Sequence, residues 1–200
     1  MNIMRFVPAL ALFASTSAFS HPGHGEYNSV IQGVLHPITG LDHLVMLLGF
    51  GILLSLLLTR SLQVTGNVKQ TNTQKTWLMA FLALASLGAG FIIGNLAGAL
   101  GAVEILISAS IALVGMSIWC AFSAPEKLLS LLSVVAGGLL FFHGIAHGAE
   151  AQGSVYGFGS GMLLSAAALM ACGYRLGQFV TSKWVGVGIG ASGFVLMLSA

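Results

Sequence analysis

The amino-acid sequence predicts an all-α fold, a polytopic transmembrane bundle of six helices that follows a cleaved signal peptide. Three observations carry this reading. Hydrophobic residues fill 56% of the 200 positions and charged residues only 6%. The apolar residues gather into runs of membrane-crossing length, and the basic residues fall almost entirely into alternate gaps between those runs. A soluble domain needs roughly a quarter of charged residues to cover its surface, which this chain lacks. The net charge of +2 is too small to support nucleic-acid binding, so the partner that composition implies is membrane lipid, with no nucleic acid.

Residues 1–20 read as a secretory signal, with Arg5 in a short charged region, an apolar stretch from Phe6 to Ala14, and small residues ending in Ala18-Phe19-Ser20. Cleavage after Ser20 makes His21 the new amino terminus; Ala18 is the other candidate position. An uncleaved first helix is the alternative, but the run is short against the ~20 residues a crossing needs. Residues 21–200 then form one transmembrane domain, with crossings expected at 33–59, 77–99, 101–122, 128–149, 153–175 and a shorter last one at 184–200. The connection from Arg60 to Thr76, rich in Thr, Asn, Gln and Lys, reads as a polar loop.

Six of the seven basic residues, Arg60, Lys69, Lys75, Lys127, Arg175 and Lys183, fall on connections or helix ends of one side, and the seventh is Arg5. The positive-inside rule makes that side cytoplasmic, which leaves both mature termini, Glu26, Glu104 and Glu150 outside. Glycines recur at Gly90, Gly94 and Gly98, at Gly157, Gly159 and Gly161, and at Gly186, Gly188 and Gly190. In lipid such small residues let helix backbones approach closely. Cys120 and Cys172 give no basis for a disulfide framework.

Four of the six histidines lie in two short signatures, His36-Pro-Ile-Thr-Gly-Leu-Asp42-His43 and His143-Gly-Ile-Ala-His147-Gly-Ala-Glu150. Each polar group at membrane depth carries an insertion cost, so these two segments mark the functional site. In the fourth crossing His143, His147 and Glu150 stand at i, i+4 and i+7, one face of a helix. Imidazole nitrogens beside a carboxylate suit a borderline divalent transition metal. Glu150 can act as a ligand, as an orienting partner of His147, or as an entrance charge that attracts cations.

In the first crossing His36 and His43 are seven residues apart. Pro37 removes a backbone donor and Gly40 loosens the turn, which predicts a kink or irregular start between the two histidines. Backbone groups freed at that depth must line protein or a water-filled cavity. Asp42 costs ~2.5–3.5 kcal/mol on insertion scales unless paired, and its expected partner is a histidine ring N–H or the ion. The bland alternative for each histidine is a packed ring bonded to a backbone carbonyl. Two same-face pairs, each accompanied by an acid, favour the site. Met46 is either a soft thioether facing the same cavity or ordinary core; Glu104 is either a cavity carboxylate or an interfacial residue.

The segment His21-Pro-Gly-His24-Gly-Glu26 is ligand-rich, and a free α-amino group at His21 could chelate together with its ring. It reads as an outer capture site or as a solvated leader. Pro22 and the lack of a third-position histidine argue against an amide-coordinating copper or nickel terminus. The candidate metal-binding residues are therefore His36, Asp42, His43, His143, His147 and Glu150, with His21 and His24 above them.

The chain resembles the HupE/UreJ family of hydrogenase- and urease-associated nickel permeases. The resemblance rests on the pattern His36, Pro37, Gly40, Asp42, His43 and on Phe142, His143, Gly144, Ala146, His147, Gly148, Glu150, and it extends over essentially the whole chain. It implies a six-helix secondary permease of the bacterial cytoplasmic (inner) membrane, not an enzyme. The cargo would be Ni²⁺, with Co²⁺ as the second candidate, and no cofactor would be permanently bound. Intracellular metallochaperones would receive the ion for metalloenzyme maturation. Gln152 departs from the proline expected after the acid, which touches the following loop and not the ligands. Two other classes fit the residues alone: an intramembrane zinc hydrolase, although no HExxH helix is present, and a bis-histidine haem protein. The sequence contains no nucleotide-binding loop.

Overall fold

The computed structural model describes residues 29–65, 70–98, 100–151 and 153–199. The signal peptide, the His21/His24 segment and Gln152 lie outside the described residues. Among the described residues there is no strand, and seven helices run in order. They are α1 (Ser29–Thr39), α2 (Leu41–Thr65), α3 (Gln70–Ala97), α4 (Val103–Cys120), α5 (Glu126–Glu150), α6 (Val155–Gly177) and α7 (Trp184–Ser199).

Five of these helices, α2 to α6, contain segments long and apolar enough to cross a membrane: Leu41–Ser61, Thr73–Ala97, Val103–Cys120, Glu126–Glu150 and Val155–Gly177. The chain is thus a multi-pass helical membrane protein. Helix α7 is apolar but has 16 residues, about 24 Å at 1.5 Å per residue against a hydrocarbon core of about 30 Å. The irregularity expected between His36 and His43 is a break of one residue, Gly40, which separates α1 from α2. The hydrogen bonds continue across it, Gly40 N to His36 O at 3.0 Å and Leu44 N to Gly40 O at 2.9 Å.

Residues 60–65 and 70–76 are helical, where composition suggested a loop from Arg60 to Thr76. Helix α2 continues to Thr65 and α3 starts at Gln70. No proline and a single glycine, Gly66, occur between them, and an established helix propagates cheaply through polar residues once its nucleus exists.

Helix α2 sits at the centre of the bundle and contributes Met46, Phe50 and Leu53 to a core completed by Ile111, Ile118, Leu129 and Leu140, all fully buried. Helix α3 packs along α5, α4 along α7, and both α1 and α2 against α6. Because lipid is as apolar as leucine, backbone proximity rather than hydrophobic segregation must hold such pairs. Gly90 and Gly94 press on the carbonyls of Phe141 and Ile145, and Gly144 and Gly148 return the contact at the carbonyls of Leu87 and Phe91. A β-carbon at any of the four would collide with backbone. Gly161 and Gly186 make similar approaches, to α1 and α4. Gly98 does not pack: it has φ +79° and open space, so it turns the chain towards α4, and Gly188 also faces open space.

The ends of the bundle differ chemically. At one end Arg60 donates to the carbonyls of Cys120 (3.1 Å), Ala121 (2.8 Å) and Ala124, capping the C-terminus of α4, where a cation complements the helix dipole. Lys183 lies over the Trp119 ring at 4.5 Å at the same end. The opposite end carries His36, Glu104 and Glu150.

Candidate metal centre

Helix α5 supplies two faces from one motif. His143 and His147 lie one turn apart and point towards α1 and α2, while Gly144 and Gly148, one position further on, lie against α3. The glycine contacts fix the rotation of α5, and that rotation aims both imidazoles inward. The break at Gly40 lets α1 and α2 each contribute a histidine to the same place.

The four imidazoles form a continuous row. His36 and His147 have ring centroids 4.5 Å apart, His147 and His43 are 4.0 Å apart, and His43 and His143 are 5.2 Å apart. Glu150 extends the row outward, its carboxylate 3.8 Å from Nε2 of His36. Side-chain exposure falls from 67% at Glu150 to 36% at His36, and the residues His147 and His143 are each 1% exposed. His43, between them in the row, is 9% exposed, so the row runs from an exposed outer end at Glu150 to a buried inner end at His143.

Asp42 is bonded to its neighbour His43, Oδ1 to Nδ1, at 2.5 Å. A carboxylate accepts, so Nδ1 carries the hydrogen and Nε2 keeps its lone pair. That Nε2 is buried and without a hydrogen-bond partner, and so is Nδ1 of His147. A buried polar atom left unpaired costs about 1–3 kcal/mol, and two of them on adjacent rings fit a cation that accepts their lone pairs. A carboxylate behind a ligating imidazole also fixes ring orientation and raises its basicity.

Two donor groups share His147. At the mouth, His36, His147 and Glu150 offer one atom each, all within 4.8 Å of one another. Deeper in, His43, His143 and His147 surround a void of about 10 Å³ closed by Pro37, Leu47 and Met162. A cavity of about 600 Å³ opens beside the mouth, lined among others by Asp42, His43, Glu104, His147 and Glu150. Glu104 is exposed and lines this cavity.

The six described residues expected to bind metal all come together. Glu150, however, approaches His36 from another helix rather than acting solely along its own face. Met46 is fully buried core, with its sulfur 3.6 Å from the Ser110 hydroxyl. Ser110 was not anticipated from the sequence: it lies on α4, with its Oγ 2.8 Å from Nε2 of His143. Its only sequence signal is a polar residue within an apolar run, shared with Ser108 and Ser117.

Fold and site together define a multi-pass helical membrane protein with a histidine-lined cavity open at one end. The chain belongs to the HupE/UreJ family: the family model described as HupE / UreJ protein matches residues 9–198. Protein HupE of Rhizobium leguminosarum bv. viciae is 24% identical over 187 residues, covering 92% of this chain and 88% of that relative. No solved structure matches the chain.

Proposed function

We propose that this protein is a secondary permease that carries Ni²⁺, with Co²⁺ as the second candidate, across the cytoplasmic membrane for metalloenzyme maturation. The observation that supports this reading is the row from Glu150 through His36, His147 and His43 to His143, with two unpartnered ring nitrogens along it. In the proposed path the mouth faces outward, and His21 and His24 capture the ion above it. Glu150, His36 and His147 take it first; His43, oriented by Asp42, and His143 hold it deeper. Release follows when the Arg60 end opens, and intracellular metallochaperones remove the ion. Six crossings, with α7 as the last, are part of this reading.

The two cavities suggest where water leaves the ion. Six waters occupy roughly 180 Å³ at ~30 Å³ each, which the outer cavity of about 600 Å³ accommodates. The inner void of about 10 Å³ has room for one water-sized sphere. Between them ring nitrogens must replace hydration, and imidazole does so best for borderline ions such as Ni²⁺, Co²⁺, Cu²⁺ and Zn²⁺.

The other two classes fit less well. A hydrolase needs a carboxylate facing the metal-bound water; Asp42 is engaged with His43, so that role would fall to Glu104 or Glu150 at the mouth, and it is the family match that favours transport over hydrolysis. Haem needs an open slot between two histidines, whereas the rings lie 4.0–5.2 Å apart with only a small void among them. A competition assay tests the proposal: proteoliposomes of the full chain should accumulate radioactive nickel, with Co²⁺ the strongest competitor and no chemical turnover. Zinc-dependent hydrolysis without nickel accumulation would refute it.

A further inference from the structure

Ser110 is fully buried on α4 and touches the inner end of the histidine row. Its Oγ lies 2.6 Å from the carbonyl oxygen of Ile107 and 2.8 Å from Nε2 of His143. A serine hydroxyl has one hydrogen to donate and two lone pairs to accept with. A carbonyl oxygen can only accept, so the short contact to Ile107 uses the serine hydrogen. The third neighbour, the Met46 sulfur at 3.6 Å, is also an acceptor and supplies no hydrogen. The contact to His143 is therefore a hydrogen bond only if Nε2 is the donor.

From this arrangement we infer that Ser110 is a positioning residue: it holds His143 in the Nε2–H form and leaves the Nδ1 lone pair free for a metal ion. The metal half of this inference rests on the permease reading above. The hydrogen bond at one ring nitrogen decides which nitrogen is free to ligate. His43 is set the opposite way, with Asp42 accepting from Nδ1 and Nε2 left free. The two rings thus use different nitrogens, each fixed by a partner from outside the row, one an aspartate and one a serine. His143 is 1% exposed, so bulk water cannot readily take the place of the serine.

Removing the hydroxyl strands a buried N–H and frees the ring to turn or exchange its hydrogen. Orienting partners of ligating histidines are typically worth 10–100-fold in metal affinity. The threonine variant keeps a hydroxyl in the same place.

The test uses the metal-free full-length protein in lipid, labelled with ¹⁵N-histidine, with the His143 signals identified by their loss in His143→Asn. The expected wild-type spectrum has a protonated Nε2 and an unprotonated Nδ1. Ser110→Ala should lose this single form and Ser110→Thr should keep it. In nickel uptake, the half-saturating concentration should rise about tenfold or more in Ser110→Ala, while the threonine variant restores it. A hydrogen on Nδ1 of His143 in the wild-type protein would overturn the inference, so failure of the alanine variant to fold does not protect it. Equal half-saturation in Ser110→Ala and wild type would also overturn it. The expected wild-type spectrum without any nickel accumulation would instead overturn the permease reading and the metal role, with the tautomer assignment left standing.

Discussion

The Asp42 carboxylate and the His43 ring, adjacent in the chain, are joined side chain to side chain at 2.5 Å where α2 begins. The bond leaves Nε2 of His43 facing buried surroundings with no partner. In the proposed path Asp42 acts through His43.

Asp42→Ala should therefore reduce nickel uptake by tenfold or more, the usual effect of losing an orienting group. Asp42→Asn should fall between, because the amide oxygen still accepts from Nδ1 but a neutral acceptor bonds about half as strongly as a charged one. Initial uptake rates, normalised to inserted protein, check the order wild type, Asn, Ala. Equal loss in both variants would mean that the carboxylate charge contacts the ion itself.

Depth along the row should separate two phenotypes. His43→Ala and His143→Ala should abolish uptake with membrane insertion intact, since both rings line the inner void together with His147. Glu150→Gln, at the exposed mouth, should raise the nickel concentration needed for half-maximal uptake and leave the maximal rate largely unchanged. Rate measurements across nickel concentrations distinguish the two, and an unchanged half-saturation in Glu150→Gln would remove the mouth from the path.

Much of this site is legible in the sequence because the bilayer penalises polar atoms, which makes His36, Asp42, His43, His143, His147 and Glu150 conspicuous in an apolar chain. The Pro37/Gly40 pair likewise announces the break between α1 and α2. What the sequence hides is tertiary. Glu150 meets His36 because α1 reaches the end of α5, and nothing in either segment states that approach. Ser110 is an ordinary helix residue until α4 brings it to His143, 33 positions away. Polar composition also misled over residues 60–65 and 70–76, because polarity marks where helix leaves the membrane and not where helix stops.

The glycines of the second signature should prove structural. A methyl at Gly144 or Gly148 would meet the Leu87 or Phe91 carbonyl, and overpacking typically costs about 1–3 kcal/mol. Gly144→Ala and Gly148→Ala should lower the thermal midpoint of the purified protein in detergent and reduce uptake by turning α5. Gly138→Ala, with nothing within 4 Å of its added carbon, is the control and should melt as wild type does. Unchanged melting in the first two would show that α3 and α5 can separate freely.

The amino-terminal histidines give the last prediction. His21→Ala with His24→Ala should weaken uptake at low external nickel and have little effect at saturating nickel. Uptake measured at both concentrations decides it, and equal loss at both would argue against a separate capture site.

The central claim, that the imidazole row carries the ion, converges on His147, which belongs to both donor groups. The direct measurement is time-resolved accumulation of radioactive nickel by proteoliposomes of the wild-type chain and of His147→Ala at matched protein density. The account predicts accumulation well above protein-free vesicles for wild type and none above them for His147→Ala; equal accumulation by the two proteins would contradict it.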